Sequence, residues 1–187
     1  MADFNRHTLD TAPEDSKPLI EASQKAYGML PNLHAVLAES PEAYKAYRDV
    51  GALFEASSLT PEQRHVVWLT LNVYHECHYC VPAHTFLARK DGVTEEIVEA
   101  LRENRTLPDA RLEALRRFTL AVAHKRGNVS AEEIDAFLAA GYSKRNVFDV
   151  ILGLSHKVIS NYVNHIVETP VDAPFAKFDW SPADKAA

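Results

Sequence analysis

The sequence predicts an all-α fold, and three observations carry this prediction. Helix-start and helix-stop signals recur along nearly the whole chain, no segment alternates apolar and polar residues as a strand does, and no Asn-Gly or Asp-Gly pair joins two strand-like runs, since the one Asp-Gly pair, Asp91-Gly92, follows a helical run. Glycine is also scarce, with six in 187 residues. We therefore expect a bundle of about seven to eight helices, formed by one domain that covers residues 1–187.

Caps mark the starts of the helices in order along the chain. Ser40-Pro41-Glu42 and Thr60-Pro61-Glu62 each place a hydroxyl at the N-cap, proline at the first helical position and an acid in the first turn. Ser130-Ala131-Glu132-Glu133 has the form of a capping box, and Thr94 and Ser143 are suitable starts for two more helices. Each cap thus assigns a helix to the residues that follow it.

Glycine and proline mark the ends of these helices. Gly92, Gly127 and Gly141 follow helical runs, and Pro108 separates one run from the next. Together the signals predict helices at 15–29, 41–56, 61–76, 79–90, 95–103, 109–126, 131–139 and 144–167. The helix at 61–76 is apolar on all sides, which indicates a central position.

Both ends of the chain, residues 1–12 and 170–187, are expected to be irregular. The second of these segments contains Phe175, Phe178 and Trp180, and a disordered tail seldom carries such residues. We therefore expect the tail to lie against the body or against a neighbouring subunit.

Composition excludes several classes of function. The formal charge of -6, with no basic run, disfavours a nucleic-acid-binding surface. No stretch approaches the roughly 20 apolar residues that span a bilayer, and the first residues lack the apolar core of a secretory signal. The expected compartment is the cytoplasm, where a close cysteine pair is more often catalytic or metal-binding than a structural disulfide.

The chemistry of the chain is concentrated in its only two cysteines, which occur as Cys77-His78-Tyr79-Cys80 with His84 one helical turn further on. On a helix at about 100° per residue, positions 77, 80 and 84 fall at about 0°, 300° and 340°, so that both thiols and the imidazole can share one face. Pro82 would clash inside a helix, so the regular helix should begin near Tyr79 to Val81. A helix N-terminus at this point would favour a thiolate.

Histidines on either side of the pair could act as bases. His84 lies four residues after Cys80, within reach of its thiol. His65 lies twelve residues before Cys77 on the preceding helix, and Glu62 is one turn before His65, so that an acid–histidine pair could point toward the thiols.

Structural explanations compete with each of these assignments. The cysteines could be two small buried hydrophobic residues, or they could bind zinc together with His84 and another histidine. His84 could be a satisfied core histidine, while helix-surface charge explains His65 and Glu62 equally well.

The stretch from Leu59 to Lys90, LTPEQRHVVWLTLNVYHECHYCVPAHTFLARK, resembles the carboxymuconolactone decarboxylase-like family, specifically its alkylhydroperoxidase D-like branch, which carries a dithiol. The similarity extends more weakly through residues 117–119 and 139–142 to residues 160–165. The fold that this resemblance implies is the helical bundle of that branch.

The resemblance also implies an activity, namely a thiol peroxidase that is reduced through its own disulfide. Cys80 would attack the hydroperoxide and become a sulfenic acid, Cys77 would resolve it to a disulfide, and His84 would help to deprotonate Cys80. An external dithiol, a lipoyl-type carrier or a thioredoxin-like protein, would restore the pair. No cofactor or metal is implied, and the expected assembly is a homo-oligomer built from dimers, a trimer or a hexamer.

Three positions depart from the pattern of that branch. His65 stands where the family relay has a glutamate, Tyr79 stands where histidine often precedes the second cysteine, and Pro82 is unusual. The relay would have to run through His65, with Glu62 or with water. The decarboxylase activity in the family name is not expected, because those relatives look like proteins without the dithiol.

Two other functions compete with a hydroperoxide reductase. The same cysteines would serve a protein disulfide reductase or a redox sensor, and a zinc-binding or purely structural helical protein is the further alternative. On the last long helix, Asn161, Asn164 and His165 lie among apolar residues at core spacing. Buried amides need partners, which a subunit interface could supply, whereas a solvent-facing polar stripe would explain the same pattern.

Overall fold

The computed structural model describes residues 4–182, and every regular element in that range is helical. The α-helices are α1 (Lys17–Tyr27), α2 (Asn32–Leu37), α3 (Pro41–Glu55), α4 (Pro61–Tyr74), α5 (Cys80–Lys90), α6 (Glu95–Arg102), α7 (Ala110–His124), α8 (Ala131–Ala139) and α9 (Lys144–Val167). Short 3-10 helices occupy Glu14–Ser16 and Ala173–Phe178. The predicted all-α class is therefore confirmed.

All eight predicted helices are present, and their ends agree with the prediction to within about two residues. The caps explain this agreement. The Ser40, Thr60, Ser130 and Ser143 side chains each accept a hydrogen bond from a backbone N–H in the first turn, and the last three form complete capping boxes.

Helix α2 is absent from the prediction, because its start signal lies far away in the sequence. Its N-cap is Pro31, which offers no side-chain acceptor. Instead, the Asp172 carboxylate accepts from the Asn32 backbone N–H at 3.1 Å and 3.3 Å. A carboxylate at a helix N-terminus stabilises the unpaired amides there, so α2 is capped by a tertiary contact.

Helix α4 lies at the centre, in contact with α3, α5, α6, α7 and α9. Around it are two buried groups of side chains. The first, here called the apolar cluster, includes Val67, Leu69, Leu101, Leu115 and Phe137 and joins α4 to α6, α7 and α8. The second, here called the thiol cluster, includes Leu33, Tyr44, Cys77, Tyr79 and Cys80 and joins the chain before α4 to the start of α5.

Helix α9 approaches the centre closely at a glycine. A Cβ atom on Gly153 would lie 2.8 Å from carbon atoms of both Phe54 and Val67, a separation shorter than real Cβ contacts. Only a residue without a side chain fits at this point. The close approach brings the buried side of α9 against α3 and α4.

The C-terminal tail lies against α5, as its aromatic residues predict. The Phe86 ring contacts the rings of Phe175 and Phe178, with centroids 5.4 Å and 6.2 Å apart. Trp180 Nε1 donates to the Arg102 carbonyl at 3.0 Å. The prediction that the tail packs against the body is confirmed up to residue 182, while residues 1–3 and 183–187 lie outside the described range.

Of the helices between residues 4 and 182, none combines the length and the apolar character that crossing a membrane requires.

Candidate active site

Cys77 is positioned by the end of α4. Glu76 has a left-handed backbone with φ of 54°, the Glu76 N–H donates to the Val73 carbonyl, and the Cys77 N–H donates to the Asn72 carbonyl at 2.9 Å. This pair of hydrogen bonds is a Schellman cap, which ends a helix and turns the chain sharply. The thiol of Cys77 is therefore fixed just beyond the last turn of α4.

Cys80 is the first residue of α5, so the helix begins where Pro82 predicts. Its backbone N–H donates to Cys77 Sγ at 3.3 Å, and its carbonyl accepts from Asn72 Nδ2 at 3.3 Å. Both cysteines are buried free thiols. The two thiols thus face each other across the short joint between α4 and α5.

Helix α9 supplies the polar groups around the thiols. Asn164 Nδ2 lies 3.2 Å from Cys80 Sγ and 4.0 Å from Cys77 Sγ. Asn161 Nδ2 donates to Asn72 Oδ1 at 2.9 Å, and its Oδ1 lies 2.8 Å from His75 Nδ1. The two asparagines that sequence reasoning assigned to a subunit interface or to a solvent-facing stripe are therefore buried and find partners within the chain, whereas His165 is exposed.

The environment of Cys80 favours its thiolate. Burial alone would raise the pKa, but the Cys77 thiol, the charge of Lys157 and the Asn164 amide outweigh burial and lower the pKa of Cys80 to about 6. The hydrogen bond to Cys80, followed by burial, raises the pKa of Cys77 above its usual range. The opposite directions of the two pKa shifts favour a thiolate on Cys80 and a thiol on Cys77.

Lys157 is the principal site residue that sequence reasoning missed. It is fully buried, and its Nζ lies 2.8 Å from His84 Nε2. Burial lowers the pKa of Lys157, while the nearby charges of Cys80 and Cys77 oppose that shift. The available signal was its register on α9, since the buried positions Val150, Gly153, Lys157, Ser160 and Asn164 recur at helical spacing.

His84 contacts Lys157, and no hydrogen bond within residues 4–182 joins it to Cys80. Burial, followed by the charge of Lys157, holds the pKa of His84 well below its usual value, so the ring is neutral. Its Nε2 therefore accepts from the Lys157 ammonium, and its buried Nδ1 has no partner among the described residues. His84 thus contacts Lys157, whose charge in turn acts on Cys80.

His65 is buried on α4 and pairs with Asp91, whose Oδ2 lies 2.9 Å from His65 Nε2. The Trp68 ring stands beside both histidines, with its centroid 5.6 Å from that of His65 and 5.1 Å from that of His84. Glu62 is half-buried on α4, and no hydrogen bond or ion pair of the described chain involves it. Asp91 is therefore the acid that contacts His65.

A cavity of about 290 Å³ opens beside Cys80, between α1, α2, α3, α5 and the C-terminal tail. Its walls are mostly apolar, and Cys80, His84 and Lys157 line it together, whereas Cys77 does not. The remaining walls are formed by Ala26, Tyr27, Met29, Pro31, Leu33, His34, Tyr47, Tyr79, Ala83, Phe86, Leu87, Lys90, Pro174 and Phe175. A small apolar molecule in this space would meet the thiolate of Cys80 first.

The positive charge near the thiols comes from a lysine. Within residues 4–182, no three His, Cys, Asp or Glu side chains are grouped so that they could hold an ion. The Lys157 ammonium instead provides the positive charge beside the thiols and occupies the Nε2 of His84. This donor set suits a protonated lysine rather than a zinc ion.

Comparison with known proteins identifies a family match over part of the chain. Residues 39–125 match the model of the carboxymuconolactone decarboxylase family. This segment includes both cysteines, His84, His65 and Glu62, and it excludes Lys157 and Asn164. No curated protein matches the sequence.

Several solved structures share the fold. An uncharacterized peroxidase-related protein from Ralstonia eutropha, described as an alkylhydroperoxidase AhpD core, has a TM-score of 0.81 at 20% identity, over 94% of this chain and 96% of that one. A peroxidase-related protein from Silicibacter has a TM-score of 0.79 at 19% identity, over 93% and 95%. The debrominase Bmp8, as a cysteine-to-alanine variant in complex with 2,3,4-tribromopyrrole, has a TM-score of 0.77 at 15% identity, over 95% of each chain.

Proposed function

Since the chain belongs to the carboxymuconolactone decarboxylase family through residues 39–125 and has an alkylhydroperoxidase-like fold, we propose that it is a dithiol peroxidase that reduces organic hydroperoxides. One observation carries the proposal. Of the two thiols, Cys80 alone lines the apolar cavity, and its pKa is lowered to about 6. A thiolate at neutral pH in an apolar pocket suits a small, uncharged oxidant.

The proposed cycle oxidises the two thiols and reduces one hydroperoxide. The Cys80 thiolate attacks the terminal oxygen of the hydroperoxide, the O–O bond breaks, and the alkoxide leaves and takes up a proton to become an alcohol. Cys80 is now a sulfenic acid, and the sulfur of Cys77 displaces its hydroxyl group, which leaves as water with the proton of the Cys77 thiol. The product is a disulfide between Cys77 and Cys80.

Lys157 and His84 support the first step in this proposal. The ammonium of Lys157 stabilises the thiolate, and His84 holds that ammonium in place through its Nε2. Because burial and the charge of Lys157 hold the pKa of His84 well below its usual value, His84 would act on Cys80 by positioning Lys157 rather than by holding the proton that Cys80 releases. His65 would be an outer relay, with Asp91 rather than Glu62 as its hydrogen-bonded acid.

An external dithiol would return the disulfide to two thiols by exchange, and a lipoyl-type carrier fits the site better than a thioredoxin-like protein. Cys80 is 2% exposed and Cys77 is fully buried, so a folded protein surface could not reach either sulfur. A lipoyl arm is slender and apolar, and the cavity of about 290 Å³ leads to Cys80. The same burial argues against a general protein disulfide reductase.

The similarity to the debrominase Bmp8 favours a second candidate function, reductive dehalogenation of an aromatic ring. Rings of Tyr27, Tyr47, Phe86 and Phe175 line the cavity, and a flat halogenated ring suits such walls. In that reaction the dithiol would be oxidised to a disulfide, a carbon–bromine bond of the ring would be replaced by a carbon–hydrogen bond, and bromide would be released. Bromide release from tribromopyrrole, compared with consumption of cumene hydroperoxide, separates the two candidates.

The test of the peroxidase proposal is a titration of free thiols before and after one equivalent of cumene hydroperoxide. In the wild type we expect the loss of two thiols and a linked Cys77–Cys80 peptide in the mass spectrum. Cys80→Ser should lose peroxide consumption, while Cys77→Ser should consume one equivalent and stop at a sulfenic acid that dimedone traps. Unchanged turnover in Cys80→Ser would show that the proposal is wrong.

We also propose that the chain associates with copies of itself, as the resemblance to its family implies. Helix α9 carries an apolar face that includes Phe148 and Ile166, each 71% exposed, together with Ile151 and Tyr162. Such a face is larger than scattered single residues and is typical of an interface. Phe148→Glu with Ile166→Glu should lower the mass measured by light scattering to that of one chain, whereas Lys144→Glu should not.

A further inference from the structure

The proposed peroxidase reaction needs a proton donor that Cys80, Lys157 and His84 do not supply. When the O–O bond breaks, the leaving alkoxide is a strong base, and it requires a proton inside a cavity whose walls are mostly apolar. The Lys157 ammonium already donates to His84, and its charge stabilises the thiolate. As the O–O bond breaks, the negative charge moves from the sulfur to the leaving oxygen, and Lys157 continues to offset that charge only while it keeps its proton, so a separate neutral donor is the better arrangement.

Tyr47 on α3 lines the cavity together with Cys80. Its hydroxyl makes no hydrogen bond with any described residue. This hydroxyl is also not one of the polar atoms that are fully buried and lack a partner. An unpaired hydroxyl outside that set is accessible, and Tyr47 is one of the residues that line the cavity beside Cys80. Burial, followed by the charge of Cys80, raises the pKa of Tyr47 well above its usual value, so the hydroxyl keeps its proton and lies within electrostatic range of the thiolate.

The other two tyrosines of the cavity cannot take this role. Tyr79 donates its hydroxyl proton to Asp172 Oδ2 at 2.5 Å. Tyr27 lies at the mouth of the cavity, where it is 57% exposed. Among the three tyrosines that line the cavity, Tyr47 alone combines a partly buried side chain with a hydroxyl that has no hydrogen-bond partner among the described residues.

The surroundings of Tyr47 hold its ring in one orientation. The ring stacks on His156 of α9, with centroids 4.5 Å apart and planes inclined by 22°. Trp68 Nε1 donates to His156 Nδ1 at 3.1 Å, which fixes the imidazole. Gly51, one turn after Tyr47, leaves the room that His156 needs, because a Cβ there would lie 2.9 Å from His156 Nε2. A preorganised donor of this kind is what transition-state stabilisation requires.

We propose that Tyr47 is a further catalytic residue, whose hydroxyl donates a hydrogen bond and then its proton to the leaving oxygen of the hydroperoxide. The proposal rests on the peroxidase function. In the step, the Cys80 thiolate gains the terminal oxygen, the O–O bond breaks, the alkoxide takes the Tyr47 proton and leaves as an alcohol, and the tyrosinate regains a proton from water at the cavity mouth.

The test varies the basicity of the leaving oxygen. An alkoxide needs a proton far more than a carboxylate does, so a lost donor should matter for tert-butyl hydroperoxide and not for peracetic acid. In single-turnover stopped flow, Tyr47→Phe should react about 100-fold more slowly than wild type with tert-butyl hydroperoxide and within about threefold with peracetic acid. Equal slowing with both oxidants would indicate a structural role and overturn the proposal, as would an unchanged rate with tert-butyl hydroperoxide.

Two further measurements keep the outcomes distinct. Alkylation of Cys80 by iodoacetamide should keep its pH profile in Tyr47→Phe, because Tyr47 is not among the groups that lower the pKa of Cys80. A matched control, Tyr142→Phe, removes a hydroxyl that donates to the Arg111 carbonyl far from the cavity, and it should react with both oxidants as wild type does. If the wild type reacts with neither oxidant, both the peroxidase function and the role of Tyr47 are wrong. If the wild type reacts and Tyr47→Phe reacts at the same rate, only the role of Tyr47 is wrong.

Discussion

The apolar cluster and the thiol cluster are two separate buried groups of side chains, and they are built on different principles. The apolar cluster contains stacked rings, with Phe137 between Phe118 and Tyr142 at centroid distances of 4.2 Å and 4.4 Å. The thiol cluster is surrounded by buried polar groups, among them Lys157, Asn161 and Asn164, none of which is measurably exposed. The apolar cluster buries hydrocarbon, whereas the thiol cluster is surrounded by a buried charge and buried amides.

This difference indicates which part of the molecule provides stability and which provides chemistry. Burial of apolar surface is the main favourable term in folding. A buried ammonium costs desolvation energy, which its partners offset only in part. The thiol cluster is therefore expected to contribute little to stability per buried residue, and its polar groups act chiefly on the pKa of Cys80.

The largest expected effect on the apolar side is that of Phe137→Ala. Removing a buried aromatic ring leaves a cavity and should lower the free energy of unfolding by about 3–5 kcal/mol, as measured by urea denaturation. The pH profile of Cys80 alkylation should not change. Phe137→Leu, which keeps most of the volume, should cost clearly less. A shifted thiol pKa in Phe137→Ala would mean that the two clusters are not independent.

On the thiol side, Lys157→Met should have the opposite pattern. Since Cys80 has a pKa of about 6, alkylation in the wild type should rise with pH through 6 and level off above 7. Loss of the ammonium raises the pKa of Cys80, so the rise should move to higher pH. The alkylation rate at pH 7 should then fall at least about 10-fold, because only a few per cent of an ordinary thiol is ionised there.

The stability of Lys157→Met sharpens the same comparison. Cys80 can take up a proton when the lysine charge is lost, so no unpaired charge remains buried. The free energy of unfolding at pH 7 should therefore fall by less than about 1 kcal/mol, or rise. Lys144→Met, at an exposed position near the start of α9, is the control and should leave both stability and alkylation unchanged. A large loss of stability in Lys157→Met would refute the proposal that the polar groups around the thiols contribute to chemistry rather than to stability.

The smallest effect is expected where the tail meets the thiol cluster. Asp172→Asn weakens the cap of α2 and the bond to Tyr79, and it should cost about 1 kcal/mol. Hydrogen exchange of the amides in Asn32–Leu37 should speed up, while the amides of α7 in the apolar cluster should not change. Asp179→Asn is the matched control, since only the backbone carbonyl of Asp179 binds Arg102. Equal exchange in both variants would mean that Asp172 does not hold α2.

The sequence allowed the fold to be predicted wherever a signal and its helix are neighbours. Ser40, Thr60, Ser130 and Ser143 cap helices that begin at the next residue, so local chemistry was sufficient. Helix α2 could not be predicted in this way, because its capping carboxylate is 140 positions away along the chain. Only the folded tail brings that carboxylate to Asn32.

The same distinction holds for the candidate site. The joint between Cys77 and Cys80 and the start of α5 could be predicted, since Pro82 and the cysteine spacing are local features. Lys157 could not, because it lies 73 positions from His84 and because lysine is normally an exposed residue. Which residue carries the positive charge beside a thiol depends on how α9 packs, and no local pattern encodes that packing.

The residues between the two cysteines join the chemistry to the end of the chain. His78 Nε2 lies 3.0 Å from the Thr169 carbonyl, and the Tyr79 hydroxyl binds Asp172, 93 positions further on. The segment that matches the family ends at residue 125. Two proteins could therefore share every residue of that segment and still differ in the acidity of the attacking thiol. The matched segment alone identifies such proteins as relatives, whereas α9 and the tail would distinguish them by the reactivity of the thiol.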